Sequence, residues 1–350
     1  MRSLSDVKIS VLDLAPIRLG NSIAETFHSS LELAKHTETL GYERFWMAEH
    51  HNLEGIASSA TPILIGFIAS GTKRIRVGSG GIMLPNHAPL VVAEQFGTLE
   101  NLYPGRIDLG LGRAPGTDGL TMRALRRNLQ SETDFGEQVE ELQSYFATPS
   151  PGQRIKAIPG YGLKVPLYIL GSSLYSADLA GRMGLPYAFA GHFAPEAMLA
   201  AVKLYRATFT PSDVLEKPYM MIGTQAIAAE TDEEANILAT TLYQRFLNLI
   251  RNERMALTPP VQSMDGFWSA SEKAALESKL RYAAIGGPEK VKRDLERLVE
   301  VTCADELIIN SEPYDPLARL KSFEIIAELH AKLNLRSQPA FASTNPQNFF

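Results

Sequence analysis

The chain has 350 residues, of which 45% are apolar and 21% charged, a composition typical of globular proteins and unlike that of disordered or fibrous ones. Its net charge of −5 disfavours nucleic acid as a partner, because phosphate binding requires a dense basic face. Cys303 is the only cysteine, which excludes an intrachain disulfide and favours a reducing, cytoplasmic location.

Apolar stretches alternate along the chain with segments whose apolar residues have helical spacing. The first helical segment stops at Gly41, a common C-terminal signal. The predicted strands cover residues 7–12, 44–48, 75–80, 107–112, 167–171, 187–190, 219–229 and 306–309. The predicted helices cover residues 22–40, 62–70, 89–102, 121–129, 136–146, 176–183, 197–209, 232–249, 288–301 and 316–333. This repeated strand–helix unit predicts an α/β fold, a (β/α)8 TIM barrel.

Residues 251–279 interrupt this rhythm between the seventh and eighth strands. The segment contains Pro259, Pro260 and Trp268, and we expect an insertion that closes over the barrel as a lid. A single domain is expected over 1–336, followed by a flexible tail over 337–350 that is rich in Ser, Pro, Asn and Gln. The longest apolar run, 63–69, is too short to span a bilayer, so no membrane partner is expected.

An open doubly wound sheet is the alternative architecture. A Rossmann domain has the pattern GxGxxG at the start of its first helix. The first turn here, 13–16, reads Asp-Leu-Ala-Pro and has no glycine. No lysine follows the glycines at 80–81, so a P-loop is absent too. These absences favour the barrel.

Chemically useful side chains follow several predicted strands, which points to an active site on one face of the barrel. His50 and His51 come after the second strand, and neighbours on a strand point to opposite faces, so we expect one of them to face the site. The pattern contains no HExxH helix and no Cys/His cluster, so we expect no metal. Imidazole titrates near neutral pH and suits a base or proton donor. A hydrogen-bonded structural histidine is the other interpretation.

Glycines end the third predicted strand. The run 78–81 reads Gly-Ser-Gly-Gly, and the absence of side chains at Gly80 and Gly81 allows a flat ligand to approach closely. A tight strand-to-loop turn would explain the same glycines.

Arg113 follows the fourth strand, and Ser172, Ser173 and Ser176 surround the start of the helix after the fifth. A guanidinium beside free N–H groups at a helix N-terminus suits a phosphate. An N-cap and a surface ion pair are the simpler explanation for each residue alone. Together on neighbouring strands, they favour a phosphate site.

Four further residues are weaker candidates. His192 and Glu312 come just after strand ends and are interpreted as lining of the site. Phe267 and Trp268 lie in the insertion, where they would either close over a ligand or anchor the loop. The basic cluster Arg123, Arg126 and Arg127 is interpreted as a solvated helix face.

Four segments together resemble the bacterial luciferase-like family of flavin-dependent monooxygenases, in particular its non-luminescent, single-gene members. They are 47–51 (MAEHH), 77–85 (VGSGGIMLP), 105–113 (GRIDLGLGR) and 167–173 (LYILGSS). The resemblance extends from about residue 7 to residue 333 with the order of motifs preserved.

The resemblance implies a TIM barrel that binds reduced FMN, supplied by a separate NAD(P)H:flavin reductase. O₂ would add to the flavin as a C4a-peroxy adduct and oxygenate a small organic substrate. His50 matches the family's active-site histidine, and Gly80-Gly81 matches a non-proline cis peptide against the flavin ring. Arg113, Ser173 and, less closely, Ser172 and Ser176 match the ligands of the FMN phosphate.

Two positions depart from the luminescent members of the family. These carry a glutamate where Ser172 stands and a reactive cysteine where Gly112 stands. The resemblance also implies dimerisation through the second and third helices. Ala60, Gly66 and Ala69 would permit close packing there, so we expect a homodimer.

Three other functions remain open at this stage. A deazaflavin (F420) oxidoreductase on the same fold would transfer hydride without O₂. A flavin-binding protein without catalysis would lose only binding when His50 is replaced. A cofactor-free barrel hydrolase would have no affinity for flavin.

Overall fold

The computed structural model describes residues 3–127, 134–253 and 255–336. Eight parallel strands close into a barrel in the order β1-β2-β3-β4-β5-β6-β7-β9, and β9 pairs with β1 to complete it. The strands are β1 (Lys8–Asp13), β2 (Arg44–Met47), β3 (Arg76–Met83), β4 (Ile107–Gly112), β5 (Leu167–Gly171), β6 (Tyr187–Phe189), β7 (Met220–Ala228), β8 (Ala284–Gly286) and β9 (Glu306–Asn310). The predicted (β/α)8 barrel is confirmed.

Helices surround the barrel. They are α1 (Ile23–Thr39), α2 (Thr61–Gly71), α3 (Pro89–Leu102), α4 (Gly119–Ala124), α5 (Phe135–Phe146), α6 (Leu174–Arg182), α7 (Met198–Thr208), α8 (Asp232–Ile250), α9 (Ala270–Lys279), α10 (Pro288–Thr302) and α11 (Pro316–Arg336). Local chemistry sets their ends. Ser22 and Glu25 form a capping box at α1, and Pro288 starts α10 at a position where its missing N–H costs nothing.

Two apolar layers hold the barrel together. The larger one lies between the strands and the helices, and includes Phe45, Phe96 and Tyr205. The smaller one fills the barrel interior, where Trp46 and Tyr168 make an edge-to-face contact with ring centroids 4.9 Å apart. Side chains alternate along a strand, so the residue two positions after an interior one also points into the barrel. Such residues lie nearer the carboxyl ends of the strands, where the site lies.

Two elements between residues 251 and 287, helix α9 and strand β8, were not predicted from the sequence. Helix α9 occupies the end of the insertion, and the three-residue β8 pairs with the last residues of β7, outside the closed barrel. Three residues are too few to show strand periodicity. The predicted helix 121–129 is shorter, as α4, and its last two residues together with the tail 337–350 lie outside the described residues.

A buried ion network closes the amino-terminal end of the barrel. The guanidinium of Arg44 lies 2.8 Å from Asp108 and 2.7 Å from Glu306, and Arg76 lies 2.6 Å from the other oxygen of Asp108. The side chains of Arg44, Asp108 and Glu306 are almost fully buried, so each charge depends on its partners.

Replacing Arg44 by methionine is therefore expected to lower the free energy of unfolding by roughly 3–5 kcal/mol, because the buried Glu306 loses its counter-charge and Asp108 keeps only Arg76. Urea denaturation of both proteins measures the change. Lys8→Met is the matched control, since the Lys8–Glu43 pair has side chains 50% and 34% exposed. That change should cost at most about 1 kcal/mol. Equal effects of the two variants would contradict the role given to the network.

Within the described part of the chain, no helix combines the length and apolar character needed to cross a membrane.

Candidate active site

The carboxyl ends of the parallel strands meet at one end of the barrel, which we call the mouth. The main candidate residues lie there: His50 after β2, Gly80-Gly81 in the second half of β3, Arg113 after β4 and Ser173 after β5. The topology thus places residues that are far apart in sequence on one rim.

The glycines of β3 form a bare surface at the mouth. The peptide bond between Gly80 and Gly81 is cis, as the family resemblance implied. A Cβ at Gly81 would lie 2.7 Å from the carbonyl oxygen of Gly110, and one at Gly80 would lie 2.8 Å from Leu12. A side chain is excluded at Gly81, because the backbone oxygen of Gly110 cannot move away as the end of the Leu12 side chain can. The register of β3 with β4 shifts across this point. The turn explanation is insufficient, because the glycines lie inside a paired strand.

Glu49, His51 and His87 form a group that we call the Glu49 clasp. Nε2 of His51 and Nε2 of His87 each lie 2.9 Å from Oε1 of Glu49. The carboxylate also accepts a hydrogen bond from the backbone N–H of Met83, at 3.3 Å. Burial raises the pKa of Glu49, but the hydrogen bonds and charges of His51 and His87 outweigh this effect and lower the pKa to about 2. The clasp ties the loop after β2 to the end of β3.

The clasp was not foreseen from the sequence, since His87 lies far from the histidine pair in the chain. The ligand atoms of the three residues lie within 4.8 Å of one another, a grouping that could accept a metal ion. Both imidazoles already satisfy the buried carboxylate by hydrogen bonding, and we interpret the group in this way. That the site uses no metal stays a prediction.

His50 lies beside the clasp at the mouth, and its ring is close enough to Arg245 and His192 for electrostatic interaction with both. Strand β2 ends at Met47, so strand alternation does not separate the two histidines; the clasp does, by holding His51. The backbone N–H of His50 donates to Ser58 at 2.8 Å. Burial, followed by the positive charge of Arg245, lowers the pKa of His50 to about 4, so its imidazole is neutral at pH 7.

Arg113 is held over an aromatic ring. Its guanidinium carbon lies 4.2 Å from the ring centroid of Tyr175, whose hydroxyl donates to Asp134 at 2.8 Å. Arg127 donates a hydrogen bond to the backbone carbonyl of Arg113, at 3.2 Å. Burial and the charge of Arg113 both lower the pKa of Arg127. The two guanidinium groups are therefore close enough for the charge of Arg113 to act on Arg127.

Arg127 was interpreted from the sequence as part of a solvated helix face, and this was wrong. Its Nη1 is buried and has no hydrogen-bond partner among the described residues. A buried, unpaired guanidinium nitrogen next to a second positive charge indicates a place for an anion. The signal was hidden because only the fold brings Arg127 to Arg113.

The serines of the 172–176 turn have different environments. Ser173 is the N-cap of α6, and its side chain makes no capping hydrogen bond. Ser176 is buried, and its hydroxyl donates to the carbonyl of Ser173 at 2.9 Å and lies 3.0 Å from the hydroxyl of Tyr187. Ser172 is half-buried on the same turn. We call Arg113, Arg127 and Ser173 the anion cradle, since an anion is expected there. The hydroxyl of Ser176 holds the backbone of Ser173 in place.

Two of the four weaker candidates, His192 and Glu312, also reach the mouth. The backbone N–H of His192 donates to Gly223 at 2.9 Å, and its ring lies over that glycine. Glu312 forms an ion pair with Arg245 of α8. The sequence analysis did not identify Arg245 as a candidate site residue. One signal was present: Arg245 lies three positions after the buried Leu242, on the inward face of the helix, where a charged residue is unusual.

The insertion lies against neighbouring elements. Trp268 packs on Tyr243 of α8 with ring centroids 6.0 Å apart, so it anchors the loop to the barrel, one of the two expectations for this residue. Phe267, by contrast, is 45% exposed. The end of α9 reaches the loop after β6, where Lys279 donates to the carbonyl of Phe193 at 3.2 Å.

The fold and the rim define a barrel enzyme, and comparison with known proteins identifies its family. The family described as luciferase-like monooxygenase matches residues 7–305. The chain belongs to this family and is thus an enzyme of the monooxygenase class. It is 50% identical to a luciferase-like monooxygenase of Escherichia coli K12 over 93% of this chain and 98% of that protein. The crystal structure of apo-MsnO8 matches with a TM-score of 0.86 and 36% identity, over 93% and 98% of the two chains.

Other relatives carry more specific names. An N-acetyl-S-alkylcysteine monooxygenase of Bacillus subtilis is 36% identical over 65% of this chain and 70% of that protein. A Type II Baeyer-Villiger monooxygenase constituent in complex with FMN, from a Pseudomonas putida plasmid, matches with a TM-score of 0.72 at 19% identity over 93% and 98% of the chains. An F420-dependent secondary alcohol dehydrogenase matches with a TM-score of 0.67 at 14% identity over 93% and 99%. The last two likenesses concern the fold.

Proposed function

We propose that this protein is an FMN-dependent monooxygenase that uses reduced FMN and O₂ to oxygenate a small organic substrate. One observation carries the proposal: a glycine surface on β3 and the anion cradle after β4 and β5 belong to neighbouring strands at the same rim. A flat ring with a phosphorylated side chain needs this combination of a surface without side chains and a cationic end.

The residues present fit FMN at both ends. Gly80, Gly81 and Gly112 each occupy positions where a Cβ would lie under 3.0 Å from a neighbouring atom, so no side chain stands between the strands and the ring. At the other end, the unpaired Nη1 of Arg127 and the guanidinium of Arg113 would receive the phosphate, with the N-terminal N–H groups of α6. FMN supplies the activation of O₂ when it is bound.

His50 is the group that would handle protons beside the cofactor. With its pKa lowered to about 4, the ring is neutral at pH 7 and has one nitrogen free to accept a proton. The Glu49 clasp keeps His51 and the loop after β2 in place, so that His50 stays at the mouth. Segment 251–279 remains the predicted lid that keeps water out.

The partners of the proposed reaction are a small organic substrate, O₂ and a separate NAD(P)H:flavin reductase, in the cytoplasm. We also propose a homodimer that associates through α2 and α3, where Ile63 is 73% and Leu102 63% exposed. Ala69 was expected on that surface, but it is buried inside the subunit.

Replacing Arg113 by alanine is expected to raise the dissociation constant of FMN by about 10- to 100-fold, because charge-assisted hydrogen bonds to the phosphate are lost. Riboflavin, which lacks the phosphate, should bind the variant as it binds the wild type. Anaerobic titration with each flavin, reduced and oxidised, measures both constants. Arg123→Ala, an exposed change on nearby α4, should leave FMN binding unaltered.

The same titration tests the function. Tight binding of FMN, followed by delayed return of the oxidised-flavin absorbance after mixing with O₂, supports the proposal. Selective binding of F420 over FMN would instead support a hydride-transferring enzyme. No affinity for either cofactor would reject both and favour a cofactor-free hydrolase.

A further inference from the structure

One half of the mouth is polar and lies at strands β6, β7 and β9, across the barrel from strands β3 to β5, which carry the groups proposed to bind the cofactor. It consists of His192 after β6, Gln225 on β7, Arg245 on α8 and Glu312 after β9, and we call it the polar half. Nδ1 of His192 and Oε1 of Gln225 are buried without a hydrogen-bond partner in the part of the chain that is described. Buried polar atoms without a partner are rare in proteins, so a polar ligand is expected to meet these two.

Arg245 supplies the charge of the polar half. Its side chain is 18% exposed and pairs through one terminal nitrogen with Glu312, which is fully buried. Among the described residues, Glu312 is the carboxylate that forms an ion pair with Arg245. Nε and the second terminal nitrogen remain for a ligand. The guanidinium lies close enough to His50 and His192 that its charge lowers the pKa of both rings.

The groups around Arg245 are neutral or already paired. Burial lowers the pKa of His192 to about 4, so at neutral pH its ring is an uncharged hydrogen-bonding group. Gln225 is uncharged, and Asn310 donates to Glu312 at 3.1 Å, which holds the carboxylate on its side of the guanidinium. Arg319, whose charge lowers the pKa of Arg245, is itself paired with Asp13 at 2.9 Å. Among the described residues at this end of the mouth, Arg245 is therefore the cation with capacity for a further anion.

We propose that the substrate carries a carboxylate, bound by Arg245, and a further polar group that donates a hydrogen bond to Oε1 of Gln225 or bonds with Nδ1 of His192. This inference rests on the proposed function and specifies the substrate class of the same site. A purely aliphatic substrate would cover His192 and Gln225 and leave their polar atoms unpaired, which is unfavourable. Glu312 competes with the substrate for Arg245 and sets how tightly the acid is held.

Matched acid and amide pairs test the proposal by binding. N-acetyl-S-benzylcysteine, 4-oxopentanoic acid, phenylacetic acid and hexanoic acid are each titrated calorimetrically against the FMN-loaded protein beside their own carboxamides. We expect at least one acid to bind about tenfold more tightly than its amide. Arg245→Gln should abolish that preference and Arg245→Lys should restore part of it. Glu312→Gln should strengthen acid binding several-fold, because the guanidinium is released.

The opposite effects of the two substitutions distinguish binding from a structural role. If Arg245 and Glu312 only support the fold, both variants should weaken acids and amides alike, which would overturn the inference. It is also overturned if no acid of the four binds more tightly than its amide. FMN affinity, measured in the same samples, separates this failure from failure of the proposed function: the inference fails alone when FMN still binds the wild type and both variants.

Discussion

His50→Ala is expected to lower the rate of substrate oxygenation by a factor of about 10²–10⁴, the usual contribution of a positioned acid–base group. His50 lies at the mouth, and its lowered pKa keeps the imidazole in the proton-accepting form across the neutral range. Alanine has no group that holds or releases a proton there. Oxidation of reduced FMN should continue in the variant, with the reducing equivalents lost as H₂O₂.

An oxygen electrode combined with a peroxide assay measures this effect before any substrate is known. The wild type should release H₂O₂ slowly from reduced FMN, and His50→Ala should release it much faster. His28→Ala is the control, because His28 is an exposed histidine of α1. FMN affinity should change little in either variant. Identical peroxide release by the wild type and His50→Ala would remove His50 from the chemistry and favour a protein that only binds flavin.

The barrel was predictable because most of its strands are buried on both faces. Strands β4 and β5 are continuous or nearly continuous buried segments bounded by glycine and proline, and their observed bounds are the predicted ones. The helices were predictable for a related reason, since caps such as Ser22 and breaks such as Gly41 lie next to the segments they delimit. These signals are local, so they require no knowledge of the fold.

The candidate site was predictable only in part, because half of it depends on contacts between distant segments. His50, Arg113 and Ser173 follow strand ends directly, and a local pattern reveals them. His87, Arg127 and Arg245 come to the site from other segments. Their roles are defined by their contacts with Glu49, Arg113 and Glu312, and these contacts exist only in the folded chain.

Acid is expected to destabilise the protein in two separate pH windows. The pKa values of His50 and His192 fall from 6.5 to about 4 on folding, so the unfolded chain binds more protons between these values. Their contribution to stability is complete above pH 6.5 and is lost as the pH falls toward 4. The pKa of Glu49 falls from 4.5 to about 2, and its contribution is lost below pH 4.5.

The first window has the larger expected effect, because it involves two histidines. Each shift corresponds to a free energy on the order of 3 kcal/mol. Burial and the charge of Arg245 lower the pKa of His50, whereas the carbonyl of Gly116 and the charge of Glu49 raise it. Urea denaturation between pH 7.5 and 4 measures the loss.

The double variant His50→Gln/His192→Gln isolates this window. Its unfolding free energy should change much less between pH 6.5 and 4 than that of the wild type, and it should keep the loss below pH 4.5 that belongs to Glu49. His28→Gln, on the exposed face of α1, should follow the wild-type curve. A double variant that loses as much stability as the wild type in the upper window would mean that both histidines can take up a proton in the folded protein. His50 would then be charged near pH 6, and the rate of oxygenation should fall near that pH rather than near pH 4. The stability curve and the pH profile of activity therefore check the pKa of His50 independently.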